Sequence, residues 1–186
     1  MTSQCDTDTI AALIEAMADD PGGQIPRLAE LIASHPEDAR LRFLHGSALI
    51  GEKRLIEAHA SLSEAVRLAP DFAIARFQLG FFLLTSGEAE AALETWGRLD
   101  RLPDGHYLRK FVDGLRCLIR DDFQGAIDRL REGIGLNQEN PPLNRDMQLL
   151  IDECAKLLAG SASEDDEAVS ETALILKQFS NRGPLH

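Results

Sequence analysis

The sequence predicts an all-α protein made of repeated helix-turn-helix units, and two observations support this prediction. The stretch 73–96 contains two amphipathic segments separated by a turn at Ser86-Gly87. Small residues in and around this stretch also recur at a spacing of 34 residues. Helical hairpins that repeat at this period stack into an α-solenoid, in which each unit buries its apolar face against its neighbours. The recurring residues are Gly46, Gly80 and Gly114 in the first helix of each unit, and Ala58, Ala92 and Ala126 in the second.

The N-terminal segment, residues 1–35, is predicted to form a capping pair of helices. Apolar residues of the first helix follow the i, i+3, i+4, i+7 spacing, and Thr7 or Asp8 is placed to cap its start. Pro26 fits the first turn of the second helix, which is expected to end before His35-Pro36. The apolar residues of the first helix are Ile10, Leu13, Ile14 and Met17.

The central segment, residues 36–137, is predicted to contain three repeats. In the first repeat the two helices are expected near 38–50 and 55–68, and Gly51 supplies the break between them. In the third repeat, Asp121-Asp122 takes the place of the turn glycine and can cap the helix that follows. The three repeats cover residues 36–69, 70–102 and 103–137.

The recurring glycines and alanines predict where the two helices of each unit cross. Antiparallel helices approach to about 8–10 Å only if small residues lie at the crossing point. Glycine inside a helix costs about 1 kcal/mol relative to alanine, so its repeated use indicates a steric requirement. We therefore expect Gly46 to face Ala58, and Gly80 to face Ala92.

Two further segments follow the repeats. Residues 138–160 are predicted to form a C-terminal capping helix, near 144–158, because the end of a solenoid needs a cover for its last apolar face. Residues 161–186 contain an acidic linker and an amphipathic tail helix, expected over 168–179. The residues on one face of this tail helix are Val169, Thr172, Ala173, Leu176 and Phe179.

The composition argues against some classes of partner and predicts where in the cell the protein is located. A net charge of −12 and an isoelectric point near 4.8 predict no binding to nucleic acid or to an anionic membrane, because both would repel the chain. Cys5, Cys117 and Cys154 lack the paired spacing of a zinc site or a disulfide framework, so reduced structural thiols are expected. The N-terminus lacks a secretory leader pattern and no apolar stretch reaches the length of a membrane span, which predicts a cytoplasmic protein.

The repeats share a longer pattern of residues, which is clearest in the middle unit. It consists of Leu79-Gly80, Ala92, Trp96 and Pro103. This pattern resembles that of the tetratricopeptide repeat family, which has a Trp, a Leu-Gly pair and a Tyr, then a small Ala, an aromatic residue and a closing Pro. The resemblance extends over residues 36–137 and implies a right-handed α-solenoid of three units. The first Trp of the family pattern is replaced here by Arg42, Arg76 and Lys110.

The resemblance also implies a binding surface. Proteins of this family bind peptides or helices in a concave groove lined by the first helix of each repeat. The matching positions here are apolar apart from two, so a partner segment or the chain's own tail helix is expected to cover them. These positions are Arg40, Phe43, Ser47, Ile50, Ile74, Phe77, Phe81, Leu84, Leu108, Phe111, Leu115 and Leu118.

The cations Arg42, Arg76 and Lys110 form a possible basic row at the repeat period. They either pair with acidic residues of neighbouring helices or serve as a ladder for an acidic partner segment. Strongly salt-dependent binding of a partner would favour the second interpretation.

No motif in the sequence indicates catalysis. The five histidines are scattered, and metalloprotease, serine-hydrolase and phosphate-loop motifs do not occur. We therefore expect no enzymatic activity, no cofactor and no metal. The predicted function is a protein–protein interaction module, an adaptor or scaffold, that binds a protein or peptide partner. The alternative is a small acidic cytosolic chaperone of a secreted or aggregation-prone protein, and self-association of the chain is left open.

Overall fold

The computed structural model describes residues 4–160 together with Thr172 and Leu176. Within these residues the protein is helical and contains no strand, which confirms the all-α prediction. The chain divides into two compact units, and the division falls between Leu79 and Gly80. This position lies inside the segment predicted as the second repeat, 70–102. The solenoid arrangement of the repeats stays a prediction.

The first unit is organised around α3. This helix packs against α4 and also contacts α1 and α2. Its core contains leucines with no exposed side-chain surface, among them Leu13, Leu28, Leu41 and Leu62. The elements of the unit are α1 (Thr7–Asp19), a 3-10 segment (Gly22–Gln24), α2 (Ile25–Ser34), α3 (Ala39–Gly51), α4 (Leu55–Leu68) and the first half of α5 (Ala73–Thr85).

The second unit is organised around α8, which packs against both α7 and α9. Its core contains Trp96, Phe111, Leu115 and Leu130, all fully buried. The elements of the unit are the second half of α5, α6 (Ala89–Trp96), a 3-10 segment (Gly97–Arg101), α7 (Tyr107–Ile119), α8 (Phe123–Leu136) and α9 (Pro141–Gly160).

The caps of two helices test the sequence-based predictions. The cap of α1 is Asp6, whose carboxylate accepts a hydrogen bond from the Thr9 N–H at 2.8 Å, so the prediction of Thr7 or Asp8 was wrong. Because α1 begins at Thr7, the residue before it is the one whose side chain reaches the free N–H groups. Asp122 caps α8 by accepting from the Gly125 N–H at 2.9 Å, as predicted.

The recurring glycines lie at close helix approaches, but their partners differ from the prediction. A methyl group on Gly46 would lie 2.7 Å from Leu62 Cγ, and one on Gly114 would lie 2.8 Å from Leu130 Cγ. One on Gly80 would lie 2.6 Å from Trp96 Cδ1. Gly46 and Gly80 therefore face the large residue 16 positions later rather than the predicted alanine 12 positions later. Gly114 faces Leu130 in the same way, and a methyl group there would also lie 3.2 Å from the Ala126 carbonyl oxygen. Side chains lean toward the N-terminus of their helix, so the residue one turn further on covers the crossing point.

The helices α3, α5 and α7 end in the same way. Each is followed by a residue with a left-handed backbone: Lys53 (φ 58°), Gly87 (φ 86°) and Asp121 (φ 57°), spaced 34 residues apart. At each end the next N–H bonds back to a carbonyl five residues earlier, at 2.9 Å, 2.9 Å and 3.0 Å. This is the Schellman motif. The predicted break at Gly51 was wrong, because Gly51 is still helical and Lys53 takes the left-handed position.

Replacing Lys53 with glycine is expected to stabilise the protein. A left-handed conformation is unfavourable for a residue with a Cβ and free of that cost for glycine, so the free energy of unfolding should rise by about 0.5–1 kcal/mol. Urea unfolding followed by circular dichroism measures the change. Lys53→Ala is the control, since it removes the side chain and keeps the Cβ. Equal stability of the two variants would contradict the explanation.

Candidate partner-binding site

Six of the residues predicted to line the groove lie in the first unit. Phe77 and Ile50 are buried, whereas the other four are partly exposed. Phe43 packs edge to face against Phe72, with ring centroids 5.4 Å apart. The partly exposed residues are Arg40, Phe43, Ser47 and Ile74.

The other six predicted groove residues lie in the second unit, where all but one are buried. Phe81 is partly exposed. The remaining five have 0–1% of their surface exposed and belong to the core. These residues are Leu84, Leu108, Phe111, Leu115 and Leu118. A partner can reach these side chains only if an element that covers them moves.

Arg40 is engaged inside the protein. Its guanidinium donates to the Asp38 carboxylate at 2.6 Å and to the Cys5 carbonyl at 2.6 Å. Asp38 is 2% exposed and accepts a further bond from the Cys5 N–H at 2.9 Å. We call this set the Asp38–Arg40 latch. It ties the chain before α1 to the start of α3, so Arg40 has a structural role that the predicted groove assignment did not include.

Two residues beyond α9 also lie against the second unit. Thr172 and Leu176 are helical and are 6% and 8% exposed. The Thr172 hydroxyl lies 2.8 Å from the Leu118 carbonyl oxygen and 2.6 Å from the Asp121 carboxylate, and both groups can only accept its proton. Thr172 therefore bonds to the C-terminal end of α7. The other residues of the predicted tail-helix face, Val169, Ala173 and Phe179, lie outside the described residues.

The three cations of the predicted basic row have different environments. Arg76 donates to the Pro70 carbonyl at 2.9 Å. Lys110 forms an ion pair with Glu132 of α8 at 2.7 Å, as the pairing interpretation predicted. The Nε of Arg42 is buried, and none of the described residues forms a hydrogen bond with it.

A larger group of cations surrounds a cleft in the second unit. We call it the basic cleft, and its volume is about 580 Å³. Five cationic side chains and two carboxylates line it, together with the partly exposed thiol of Cys117. Such a local excess of cations stands out in a chain whose net charge is −12. The charged lining residues are Arg109, Lys110, Arg116, Arg120, Arg129, Asp104 and Asp113.

Carboxylates pair with four of these cations. Arg116 contacts Asp100 through two bonds of 2.7 Å and 3.1 Å, which raise the pKa of its guanidinium. Arg109 pairs with Asp104, while Lys110 and Arg129 share Glu132. Hydrogen bonds from Lys110 and Arg129 lower the pKa of Glu132, although slight desolvation opposes them. Within the described residues no carboxylate pairs with Arg120, whose Nη2 lies 3.7 Å from Cys117 Sγ.

The sequence pattern identified Lys110 with its neighbour Arg109, but it did not identify the other three cations of the basic cleft. Arg116, Arg120 and Arg129 do not follow the 34-residue period, so the repeat pattern does not indicate them. The sequence does contain a local indication of the basic cleft. Four cations fall within residues 109–120, which form one helix and its end, in a chain that is otherwise acidic.

Residues 4–160 contain no helix that is both long and apolar enough to cross a membrane. Nor do the His, Cys, Asp and Glu side chains of the described residues form a group of three or more that could hold a metal ion. Comparison with known proteins adds no relative: no protein-family model matches the chain, and neither does any curated protein or solved structure.

Proposed function

We propose that this protein is a non-catalytic protein-interaction module that holds a helical segment of a partner polypeptide against α7. The burial of Thr172 and Leu176 supports this proposal. These residues are four positions apart and therefore lie on one face of a helix. One of them is hydrogen-bonded at the end of α7.

A partner is therefore expected to present a helical face similar to the one that carries Thr172 and Leu176. A surface that accepts an apolar helical face from its own chain can accept a similar face from another chain. The buried state of Leu108, Phe111, Leu115 and Leu118 fits this view, because an exposed apolar stripe would otherwise be a liability. The partner helix would then displace the tail segment.

Substituting the two tail residues in the full chain tests the first step. Leu176→Asp places a charge at a buried position, so Thr172 and Leu176 should leave their positions and the Tm should fall by about 5 °C. Thr172→Val, which removes the hydroxyl, should have a smaller effect in the same direction. Circular dichroism melting measures the fall in Tm. Binding of a hydrophobic dye, which should increase, measures the surface that is uncovered. The control is Ile56→Asp, at a position that is 89% exposed, and it should change neither.

A synthetic peptide of residues 168–179 tests the binding itself. We expect this peptide to bind the Leu176→Asp protein more tightly than the unmodified protein, in which the chain's own segment competes. Isothermal titration calorimetry compares the two affinities. Equal affinities, or dye binding that Leu176→Asp leaves unchanged, would refute the proposal.

A further inference from the structure

We propose that the basic cleft is a second binding site, separate from the proposed helix site, and that it takes an extended acidic peptide of about five residues. The inference does not depend on the proposed function. Three properties of the residues that line the cleft support it: their charge, the state of their ion pairs, and the spacing of their cations.

The charge balance of the cleft is the first argument. Five cations and two carboxylates line it, and Asp100 and Glu132 add two carboxylates from outside, so cations outnumber carboxylates five to four. Elsewhere the chain is acidic: residues 138–171 alone carry nine acidic and two basic residues. An anionic ligand is therefore attracted to the cleft and repelled by other parts of the chain.

The internal ion pairs do not block such a ligand. Asp104 is 88% exposed, and the side chains of Asp100 and Glu132 are 49% and 42% exposed. The cations of these pairs, Arg109, Lys110 and Arg116, are 30%, 15% and 23% exposed, so the carboxylate is the solvent-facing member of each pair. An incoming carboxylate can therefore take the place of a partner that water already reaches. A ligand carboxylate can pair with Arg120 without replacing another carboxylate, because no carboxylate of the described residues pairs with Arg120.

The spacing of the cations selects the kind of anion. Arg109 in α7 and Arg120, the residue that follows α7, mark the two ends of the cluster, and a separation of eleven residues along a helix is about 16 Å. A single phosphate is too compact to meet cations spread over that length. An extended peptide covers it with about five residues, and a carboxylate can stand at several of them. A nucleic acid would extend past the cleft over the acidic remainder of the chain, where it is repelled.

Hexaglutamate added to the full chain tests the proposal. We expect it to bind with an affinity that falls as salt rises, measured by calorimetry at several ionic strengths. The double variant Arg120→Gln/Arg129→Gln should bind at least about tenfold more weakly, because it removes two charge-assisted donors. Arg131→Gln is the matched control: it changes a cation that is exposed on α8, outside the cleft lining, and should leave the affinity unchanged.

Cys117 reports where the peptide binds. It is the partly exposed thiol of the three, whereas Cys5 and Cys154 are buried. Hexaglutamate should slow its reaction with iodoacetamide, a neutral reagent, and Cys117→Ala identifies the labelled position. The proposal is overturned if hexaglutamate does not bind, if the double variant binds it as well as the unmodified protein, or if Cys117 is not protected. It is also overturned if inorganic phosphate or a short DNA strand displaces the peptide at equal charge concentration.

Discussion

Replacing Gly80 with valine is expected to lower the free energy of unfolding by about 3 kcal/mol, because the new side chain would overlap a ring that has no room to move. The Trp96 ring is fully buried, and even the first added carbon would lie 2.6 Å from its Cδ1 atom. Either α5 and α6 must separate or Trp96 must leave its position. Urea unfolding followed by far-ultraviolet circular dichroism measures the loss.

The sign of the effect of alanine distinguishes close packing from helix propensity. In a helix without close neighbours, Gly→Ala stabilises by about 1 kcal/mol. At Gly80 we expect the opposite sign. Gly97→Ala is the control, since nothing lies within 4 Å of its added carbon. If Gly80→Ala stabilised the protein, the close approach between Gly80 and Trp96 would be disproved.

Removing the carboxylate of the Asp38–Arg40 latch is expected to cost about 2–3 kcal/mol. Asp38→Ala would leave the Cys5 N–H without its acceptor and would remove the cap that accepts from the Arg40 N–H at 3.0 Å. Glu37→Ala, at the exposed neighbouring position, should change stability by less than about 0.5 kcal/mol. Chemical unfolding of the three proteins compares them. A loss at position 38 no greater than at position 37 would show that the latch does not stabilise the fold.

The contribution of Asp38 should also depend on pH. Burial alone would raise the pKa of this carboxyl, but hydrogen bonds from the Arg40 side chain, the Cys5 N–H and the Arg40 N–H hold it below the ordinary value of 3.8. The unfolded chain therefore binds a proton at Asp38 more readily than the folded protein does. The stability difference between the unmodified protein and Asp38→Asn should be full above about pH 4 and should shrink as the pH falls further.

The helices were predictable because their signals are local. Apolar periodicity, prolines and turn residues predicted helices near 38–50 and 55–68, and α3 and α4 occupy 39–51 and 55–68. Of the predicted tail face, Thr172 and Leu176 are buried, and the other three residues lie outside the described residues. Local spacing does not report how far a side chain leans across a helix pair. For that reason Gly46 was assigned to Ala58 rather than to Leu62.

The binding surfaces were less predictable, because they depend on which groups meet in space. The predicted groove residues carry an apolar pattern that suits both a core and a binding face, and the structure buries seven of the twelve. The basic cleft joins cations of α7 and α8 with carboxylates from the segment before α7. The sequence does not show that Asp100 neutralises Arg116 while Arg120 keeps its charge unpaired among the described residues.

The Schellman motifs that end α3, α5 and α7 show that a backbone conformation can repeat where the amino acid does not. Lys53, Gly87 and Asp121 hold one backbone state at equal intervals, although their side chains have nothing in common. At these turns the 34-residue repeat is visible in backbone torsions and hydrogen bonds but not in residue identity, because all three residues differ. A search for further chains built in this way should therefore compare backbone torsions at a fixed interval, because an alignment that scores amino-acid identity would find no match among these three positions.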